Sequence, residues 1–469
     1  YLKKKKMMKN PIIDGGSFRD PAAQIIHVDN RILRLIKPQG FERFEFIKKI
    51  LEKSEINNLV IETKEINSNT LKANEKIDYS NFKIFEHKKI DYISYPFEWS
   101  FNRLKDAALH HLKLHIALLE NNATLIDASS YNIQFENHKP LFIDLMSIKE
   151  YSQGEFWSGH RQFCESFLNP LVLKSKLGVD HNNWFKGNLE GINTSDTCKL
   201  LKFKHMFSWN IFYNIFLLNY FQKKYRGKED TNFINKKRLK KSYFLSMLTN
   251  LSNFIEGLKF KKEETVWANY SKDNTYANQE KIKKENFVKD HLLKNKFKKI
   301  LDLGCNNGEY SILALNSGCE NVLGLDFDLN AIDDAYLRSK NDKLNFLPLY
   351  FDVSNPSSNI GWNQNERKGF NERSNFDFVL ALAFEHHLAI AKNIPLPDVI
   401  KWITKLAPNG IIEFVPKEDP TVQSMLKLKG DIFPEYNLEN FKSLLNKNCK
   451  IISEKIISSS GRILFSYEK

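Results

Sequence analysis

Residues 300–311, with the sequence ILDLGCNNGEYS, decide the fold of the C-terminal part of the chain. An apolar run that ends in a glycine-bracketed turn is typical of a buried strand followed by a helix. Gly304 leaves the backbone open to a ligand, and Gly308 permits a tight entry into the helix. This glycine spacing differs from the G-x-G-x-x-G pattern that places a pyrophosphate on a helix N-terminus. The turn therefore favours a ligand without phosphates.

Two further carboxylates follow the next strands. Asp326 lies in GLDFD (324–328), at the end of the next strand, and suits the ribose hydroxyls. Phe327 beside it suits adenine, and Asp352 in FDV (351–353) suits the adenine amino group. Three such elements in order favour S-adenosylmethionine (SAM) and disfavour a nicotinamide-dependent oxidoreductase. The predicted SAM-binding residues are Asp302, Gly304, Cys305, Asn306, Gly308, Asp326, Phe327, Asp352, Val353 and Ala383.

Apolar strands alternate with helical segments throughout this region. KKILDL, NVLGLDF, FDFVLAL and GIIEFV are separated by helical patterns, which is the signature of a parallel sheet with crossover helices. The last two apolar runs flank residues 458–461 (SSSG) and predict a closing antiparallel hairpin. The expected fold class is α/β, a doubly wound, Rossmann-like domain.

The fourth strand runs into residues 384–387, FEHH. This arrangement resembles the class I SAM methyltransferases, whose fourth strand ends over the transferred methyl group. Histidine is easily poised as a base near neutral pH, so His386 and His387 are candidate catalytic residues for deprotonating an acceptor. The alternative is that one histidine packs under the cofactor and the other caps the next helix.

The N-terminal half carries Asp127, Asn132 and Asp144 around two short apolar strands. This pattern resembles kinase-like phosphotransferases, in which the first Asp orients the nucleophile and the Asn and second Asp hold Mg²⁺ on ATP. The expected region is α+β and kinase-like. No G-x-G-x-x-G loop is present, Gly15–Gly16 being the nearest substitute, and no strand lysine is clearly matched to a helix glutamate. The alternative is a β-hairpin with turn-forming Asp and Asn.

Length and composition limit the remaining possibilities. A chain of 469 residues predicts two to three domains, which we place at 1–185 (α+β), 186–265 (a helical connector) and 266–469 (methyltransferase). Five dispersed cysteines predict reduced thiols and a cytoplasmic location. Asparagines interrupt the apolar stretch 206–221, which predicts a core helix over a membrane-surface helix and no transmembrane segment.

Phrases such as DASSYNIQF, LDLGCNNGEYS and LAFEHHLAIAKNIPLP are similar to the bacterial SAM-dependent methyltransferases related to the NoeA nodulation protein. The resemblance spans nearly the whole chain and implies methyl transfer to an unidentified small-molecule, glycan or lipid-linked acceptor. In this hypothesis the N-terminal half recognises the acceptor or a nucleotide. The net charge of +14 leaves open an RNA-modifying methyltransferase, and a non-catalytic SAM-binding or pseudokinase-like scaffold is the other alternative.

Overall fold

A computed structural model describes residues 11–68, 71, 78–224, 238–262 and 278–469. Its internal contacts divide the chain into two compact units. Unit 1 comprises Tyr1–Lys261 together with Ser358–Gly369, and unit 2 comprises Lys262–Ser357 and Phe370–Lys469. The helices between 186 and 261 belong to unit 1 by this criterion, whereas the three-part division at 185 and 265 stays a prediction.

Unit 2 is built on a seven-stranded sheet of order β12-β11-β10-β13-β14-β16-β15. Five strands are parallel, and the last two add an antiparallel hairpin, as predicted. The strands are β10 (Lys299–Leu303), β11 (Asn321–Asp326), β12 (Phe346–Tyr350), β13 (Phe378–Ala381), β14 (Asn409–Phe414), β15 (Lys450–Ile456) and β16 (Ile463–Glu468). The order reverses between β10 and β13, and ligands of doubly wound sheets bind outside the carboxyl ends of the strands at such a switch point.

The parallel strands of this sheet are mainly apolar and buried. In β13, all four residues are buried, as expected for a strand enclosed on both faces. Asp328 caps the helix after β11 by accepting hydrogen bonds from Asn330 N and Ala331 N. The helices are Asn278–Lys294, Glu309–Asn316, Leu329–Asn341, Phe370–Arg373, Leu396–Leu406, Pro420–Lys429 and Leu438–Asn448, with a π-turn at His387–Ala391.

Unit 1 begins with an antiparallel sheet of order β1-β2-β3-β5-β4. Its strands are β1 (Ile12–Ile13), β2 (Ala23–Val28), β3 (Arg31–Ile36), β4 (Thr63–Ile66) and β5 (Lys83–His87). Asp29, in the left-handed region at φ 53°, makes the turn between β2 and β3, where Asp and Asn are favoured. Helix Phe41–Leu51 joins β3 to β4 and buries Phe44 against Phe85, with ring centroids 4.4 Å apart.

The rest of unit 1 is mainly helical around Phe101–Glu120, which lies where the 3.6-residue period predicts it. One face of this helix is fully buried, with Leu104, Ala108, Leu112, His115 and Leu119 at its helical spacing. The Ser100 hydroxyl accepts a hydrogen bond from Arg103 N at the N-terminus of the helix. The short strands are β6 (Ala123–Leu125), β7 (Ile133–Glu136), β8 (Lys139–Phe142) and β9 (Ile148–Glu150). The other helices are Ser54–Asn57, His160–Phe163, Asn169–Leu177, Asn182–Gly187, Thr194–Leu200, Trp209–Ile211, Leu218–Lys224 and Lys241–Gly257, with π-turns at Cys164–Leu168 and Phe212–Leu217.

The predicted core helix at 206–221 is only half correct. Ile211 and Ile215 are buried, but Trp209 and Tyr213 on the opposite side are exposed. Burial of the second face was not foreseen correctly, because the apolar content of a segment does not reveal whether a neighbour covers that face. Within the described residues, no helix is long and apolar enough to cross a membrane.

Candidate functional site

The turn after β10 has the backbone conformation that its glycines predict. Gly304 and Gly308 lie at φ 72° and 85°, where side chains are strained. A Cβ at Gly308 would overlap the ring of Phe346, and one at Gly304 would lie 3.0 Å from Phe384. Gly304 N and Cys305 N both donate to Leu325 O, at 2.8 and 3.1 Å. The turn is thus fastened to the end of β11.

Asp302 lies near the end of β10 and is buried. Its Oδ2 accepts a hydrogen bond of 2.6 Å from the Ser311 hydroxyl, which comes from the following helix. Burial, opposed by this hydrogen bond, raises the pKa of Asp302 to about 6. The carboxyl is therefore fixed to the helix that follows the glycine turn.

Asp326 closes the same turn from the end of β11. Its Oδ2 accepts from Asn306 N and its Oδ1 from Asp328 N, both at 2.9 Å. The backbone of Phe327 also hydrogen-bonds to this carboxylate, which has about four lone-pair positions in all. Burial raises the pKa of Asp326 to about 6. The neighbouring Phe327 side chain is 55% exposed, which leaves ring surface accessible at this strand end.

Asp352 follows β12, beside Val353, at the same end of the sheet. Its Oδ1 accepts from both the backbone N and the hydroxyl of Ser354, at 2.9 and 2.6 Å. Ala383, just beyond β13, has φ 49°, a conformation that costs a non-glycine residue about 1 kcal/mol or more. The structure thus brings the strand-end residues predicted for SAM to the carboxyl edge of one sheet.

His386 and His387 lie beyond Ala383 with their rings 4.2 Å apart. His386 is only 1% exposed, and burial holds its pKa well below the usual value, with the neighbouring His387 adding to this. Burial also lowers the pKa of His387 to about 4, but its side chain is partly exposed. Both imidazoles are therefore neutral at pH 7.

A buried network of charged groups, which no sequence pattern predicts, lies beside the histidines. Glu413 on β14 pairs with Lys284 at 2.7 Å and with Arg462 at 3.6 Å. Arg462 also donates to both carboxylate oxygens of Asp419, from Nε at 2.6 Å and Nη2 at 2.9 Å. These residues are far apart in the sequence, and nothing in their local context marks them as partners.

Glu385 is a second buried acid in this region. Its Oε1 accepts from Val415 N at 3.1 Å and from the Tyr436 hydroxyl at 2.8 Å. Burial raises the pKa of Glu385 to about 8, against these two hydrogen bonds. Glu385 is therefore mostly uncharged near pH 7 and ties the end of β13 to the segment after β14.

The residues predicted for a phosphotransferase line one cavity of unit 1. This cavity has a volume of 1290 Å³ and includes Asp127, Asn132 and Asp144 among its walls. Arg34 of β3 donates to Asp144 Oδ1 at 3.4 Å and to Ile143 O at 3.0 Å. Burial raises the pKa of Asp144, and Arg34 opposes this rise. Arg34, the cationic residue of this strand, therefore pairs with Asp144 and not with a glutamate on a helix.

The Gly15–Gly16 turn between β1 and β2 packs against the chain itself. A Cβ at Gly15 would overlap the carbonyl of Asn365, and one at Gly16 would overlap the Arg367 guanidinium. That guanidinium lies over the Tyr131 ring, 4.8 Å from its centroid. Segment Ser358–Gly369 accounts for both glycines, so their presence is no evidence of a phosphate-binding loop.

In the described parts of the chain, no group of three or more His, Cys, Asp or Glu residues could hold a metal ion. The aromatic segment 265–276, for which the sequence alone suggests a lid over the cofactor or core packing of Trp267, lies outside the described residues.

Comparison with known proteins agrees with the site described at the carboxyl ends of the parallel strands. A family model described as "Methyltransferase domain" matches residues 274–448. The fold and this site define a class I SAM-dependent methyltransferase, as the sequence predicted. The chain is 42% identical over 457 residues to the nodulation protein NoeA of Rhizobium meliloti (strain 1021), covering 97% of this chain and 95% of the relative. The chain therefore belongs to the NoeA family.

Two solved structures are similar to part of the chain. The N-methyltransferase NodS of Bradyrhizobium japonicum WM9, in complex with S-adenosyl-l-homocysteine, is 11% identical with a TM-score of 0.31, over 43% of this chain and 91% of that one. Magnesium protoporphyrin IX methyltransferase of Synechocystis PCC 6803 is 15% identical with a TM-score of 0.29, over 47% of this chain and 95% of that one.

Proposed function

We propose that this enzyme transfers the methyl group of SAM to a hydroxyl or amine of a small-molecule, glycan or lipid-linked acceptor. The observation that carries the proposal is the placement of Asp302, Asp326 and Asp352 at three consecutive strands, beside the switch point of the sheet. Asp326 would accept hydrogen bonds from the ribose hydroxyls, Phe327 would stack on adenine, and Asp352 would accept a hydrogen bond from the adenine amino group. The turn residues Gly304, Cys305, Asn306 and Gly308, with Val353 and Ala383, form the remaining walls.

Bound SAM supplies a methyl group on a positively charged sulfur, which reacts when an acceptor lone pair is aligned with the carbon–sulfur bond. The chain has to align the acceptor, exclude water and receive its proton. We assign the proton to His387, because it is the more exposed of the paired histidines and is neutral at pH 7. His386 supports its ring from the buried side.

For the cavity of unit 1, we propose that it binds a nucleotide with Mg²⁺. Asp144 is matched to a cation and lies beside Asp127, which raises its pKa further. The Nδ2 position of the Asn132 amide is buried without a hydrogen-bond partner. Since an amide turned by 180° presents oxygen at that position, Asn132 and Asp144 fit the oxygen ligands that Mg²⁺ requires. Mg²⁺ there would neutralise phosphate charge, and Asp127 would orient a hydroxyl.

Methyl-labelled SAM incubated with the full chain and a fractionated cell extract tests the first proposal. We expect label in a small-molecule, glycan or lipid fraction, and loss of labelling with Asp326→Ala. Label found only in RNA would overturn the acceptor class while leaving the SAM site standing.

Calorimetric titration with Mg-ATP tests the cavity separately. We expect binding by the wild type and at least tenfold weaker binding by Asp144→Ala, with SAM affinity unchanged. If the wild type does not bind Mg-ATP, the nucleotide proposal fails and the methyltransferase proposal is untouched.

A further inference from the structure

Five large aromatic side chains are exposed along residues 203–220 of unit 1. Phe203, Phe207 and Trp209 are 74%, 78% and 71% exposed, and Tyr213 and Tyr220 are also more than half exposed. We call these five side chains the aromatic face. Single exposed apolar residues are ordinary, but a cluster of them marks an interaction surface.

The backbone holds this face outward by burying its other side. Ile211 and Ile215 are buried, and the Cys198 thiol donates to Ile215 O at 3.5 Å. The buried Asn214 side chain hydrogen-bonds to His160 at 2.8 Å. A rotation of the helix that buried the aromatic residues would break these contacts, so their exposure is fixed by the fold.

The rings are also arranged against one another before any partner binds. Trp209 and Tyr213 are stacked with centroids 5.7 Å apart, and Phe203 and Phe207 meet edge to face at the same distance. Ordered rings lose little conformational entropy when they are buried. The face is therefore preorganised for binding.

The charges that flank the face are mainly positive. Exposed lysines stand on both sides of it, at Lys202, Lys204, Lys223 and Lys224, whereas Lys199 is paired with Asp196 at 2.8 Å. The sequence contains no acidic residue between Asp196 and Glu229. Such a surface attracts a partner that is both apolar and negatively charged.

We infer that the aromatic face docks on the surface of a lipid bilayer that contains anionic lipids. Tryptophan and tyrosine prefer the membrane–water interface, and lysines beside them bind anionic headgroups. The sequence has no arginine between Arg161 and Arg226, although arginine is enriched at protein interfaces and commonly stacks on nucleic-acid bases. The composition thus favours a bilayer over a protein or RNA. This inference does not depend on the proposed acceptor.

Co-sedimentation of the full chain with lipid vesicles tests the inference. We expect binding to phosphatidylcholine vesicles that contain phosphatidylglycerol, and little binding to phosphatidylcholine alone. Phe207→Ser with Trp209→Ser should weaken binding at least tenfold. Lys202→Glu with Lys204→Glu should weaken it by a similar factor, since each lysine contributes about fivefold. Trp362→Ser is the matched control, because Trp362 is also 71% exposed but lies outside the face, and it should bind as the wild type does.

Each alternative occupant gives a different result. The absence of binding to anionic vesicles, or equal binding of the wild type and the Phe207/Trp209 variant, overturns the inference. A wild-type dimer in light scattering that the same variant converts to monomer would assign the face to a second copy of the chain. Binding of single-stranded RNA without vesicle binding would assign it to nucleic acid.

Discussion

Replacing Asp326 with alanine tests the cofactor site most directly. The wild-type carboxylate holds Asn306 N and Asp328 N at 2.9 Å, and in our proposal it also accepts hydrogen bonds from the two ribose hydroxyls. A hydrogen bond to a charged group contributes about 1.5–3 kcal/mol. Loss of two such bonds removes at least about 3 kcal/mol of binding free energy, which weakens SAM binding by more than about 100-fold.

Calorimetric titration with SAM measures this loss, and Asp328→Ala is the matched control. Asp328 also accepts two backbone N–H groups, but it caps a helix, so its removal should cost about 1 kcal/mol of stability and leave SAM affinity unchanged. Because the pKa of Asp326 is about 6, wild-type affinity should also fall below about pH 6, where the protonated carboxyl accepts less well. SAM affinity within threefold of wild type in Asp326→Ala would refute the ribose assignment.

Three further predictions concern stability. Folded Glu385 keeps its proton up to about pH 8, whereas the unfolded chain releases it near the ordinary glutamate pKa of 4.5. The free energy of unfolding should therefore fall as the pH rises between those two values. Glu385→Gln should remove this pH dependence in urea unfolding, and an unchanged pH dependence would contradict the assignment. Arg462→Met breaks a buried ion pair and should cost about 3–5 kcal/mol in urea unfolding, against less than about 1 for Lys442→Met at an exposed pair; equal losses would refute the burial argument. Gly308→Ala should lower the melting temperature more than Gly318→Ala, because both have positive φ but only Gly308 faces a ring, and equal shifts would show that the ring yields.

The parallel sheet of unit 2 could be predicted from sequence because its strands are buried on both faces. Burial on both faces makes each strand a continuous apolar run, and the connecting helices give the runs a regular spacing. The turn at Gly304 and Gly308 could also be predicted from the sequence, because glycine is the usual residue where φ is positive. Local physics was enough to place the strand ends, and with them Asp326 and Asp352.

Ion pairs between residues that lie far apart in the sequence could not be predicted in this way. Arg34 meets Asp144 across 110 positions, and Arg462 meets Asp419 across 43. No periodicity links such residues, because their contact depends on how whole elements pack. The exposed aromatic residues around Trp209 were missed for the opposite reason, since apolar composition predicts burial and the outer side of this helix is uncovered in the described structure.

Segment Ser358–Gly369 has a consequence for how this gene can be divided. Its neighbours in the sequence, Ser357 and Phe370, belong to unit 2, yet Asn365 packs against Gly15 in unit 1. A single recombination breakpoint therefore cannot exchange one unit without separating these partners. Expression of residues 262–469 alone would likewise leave twelve residues without the surface on which they fold. The two units therefore have to be exchanged together, because a segment of unit 1 lies within the sequence of unit 2.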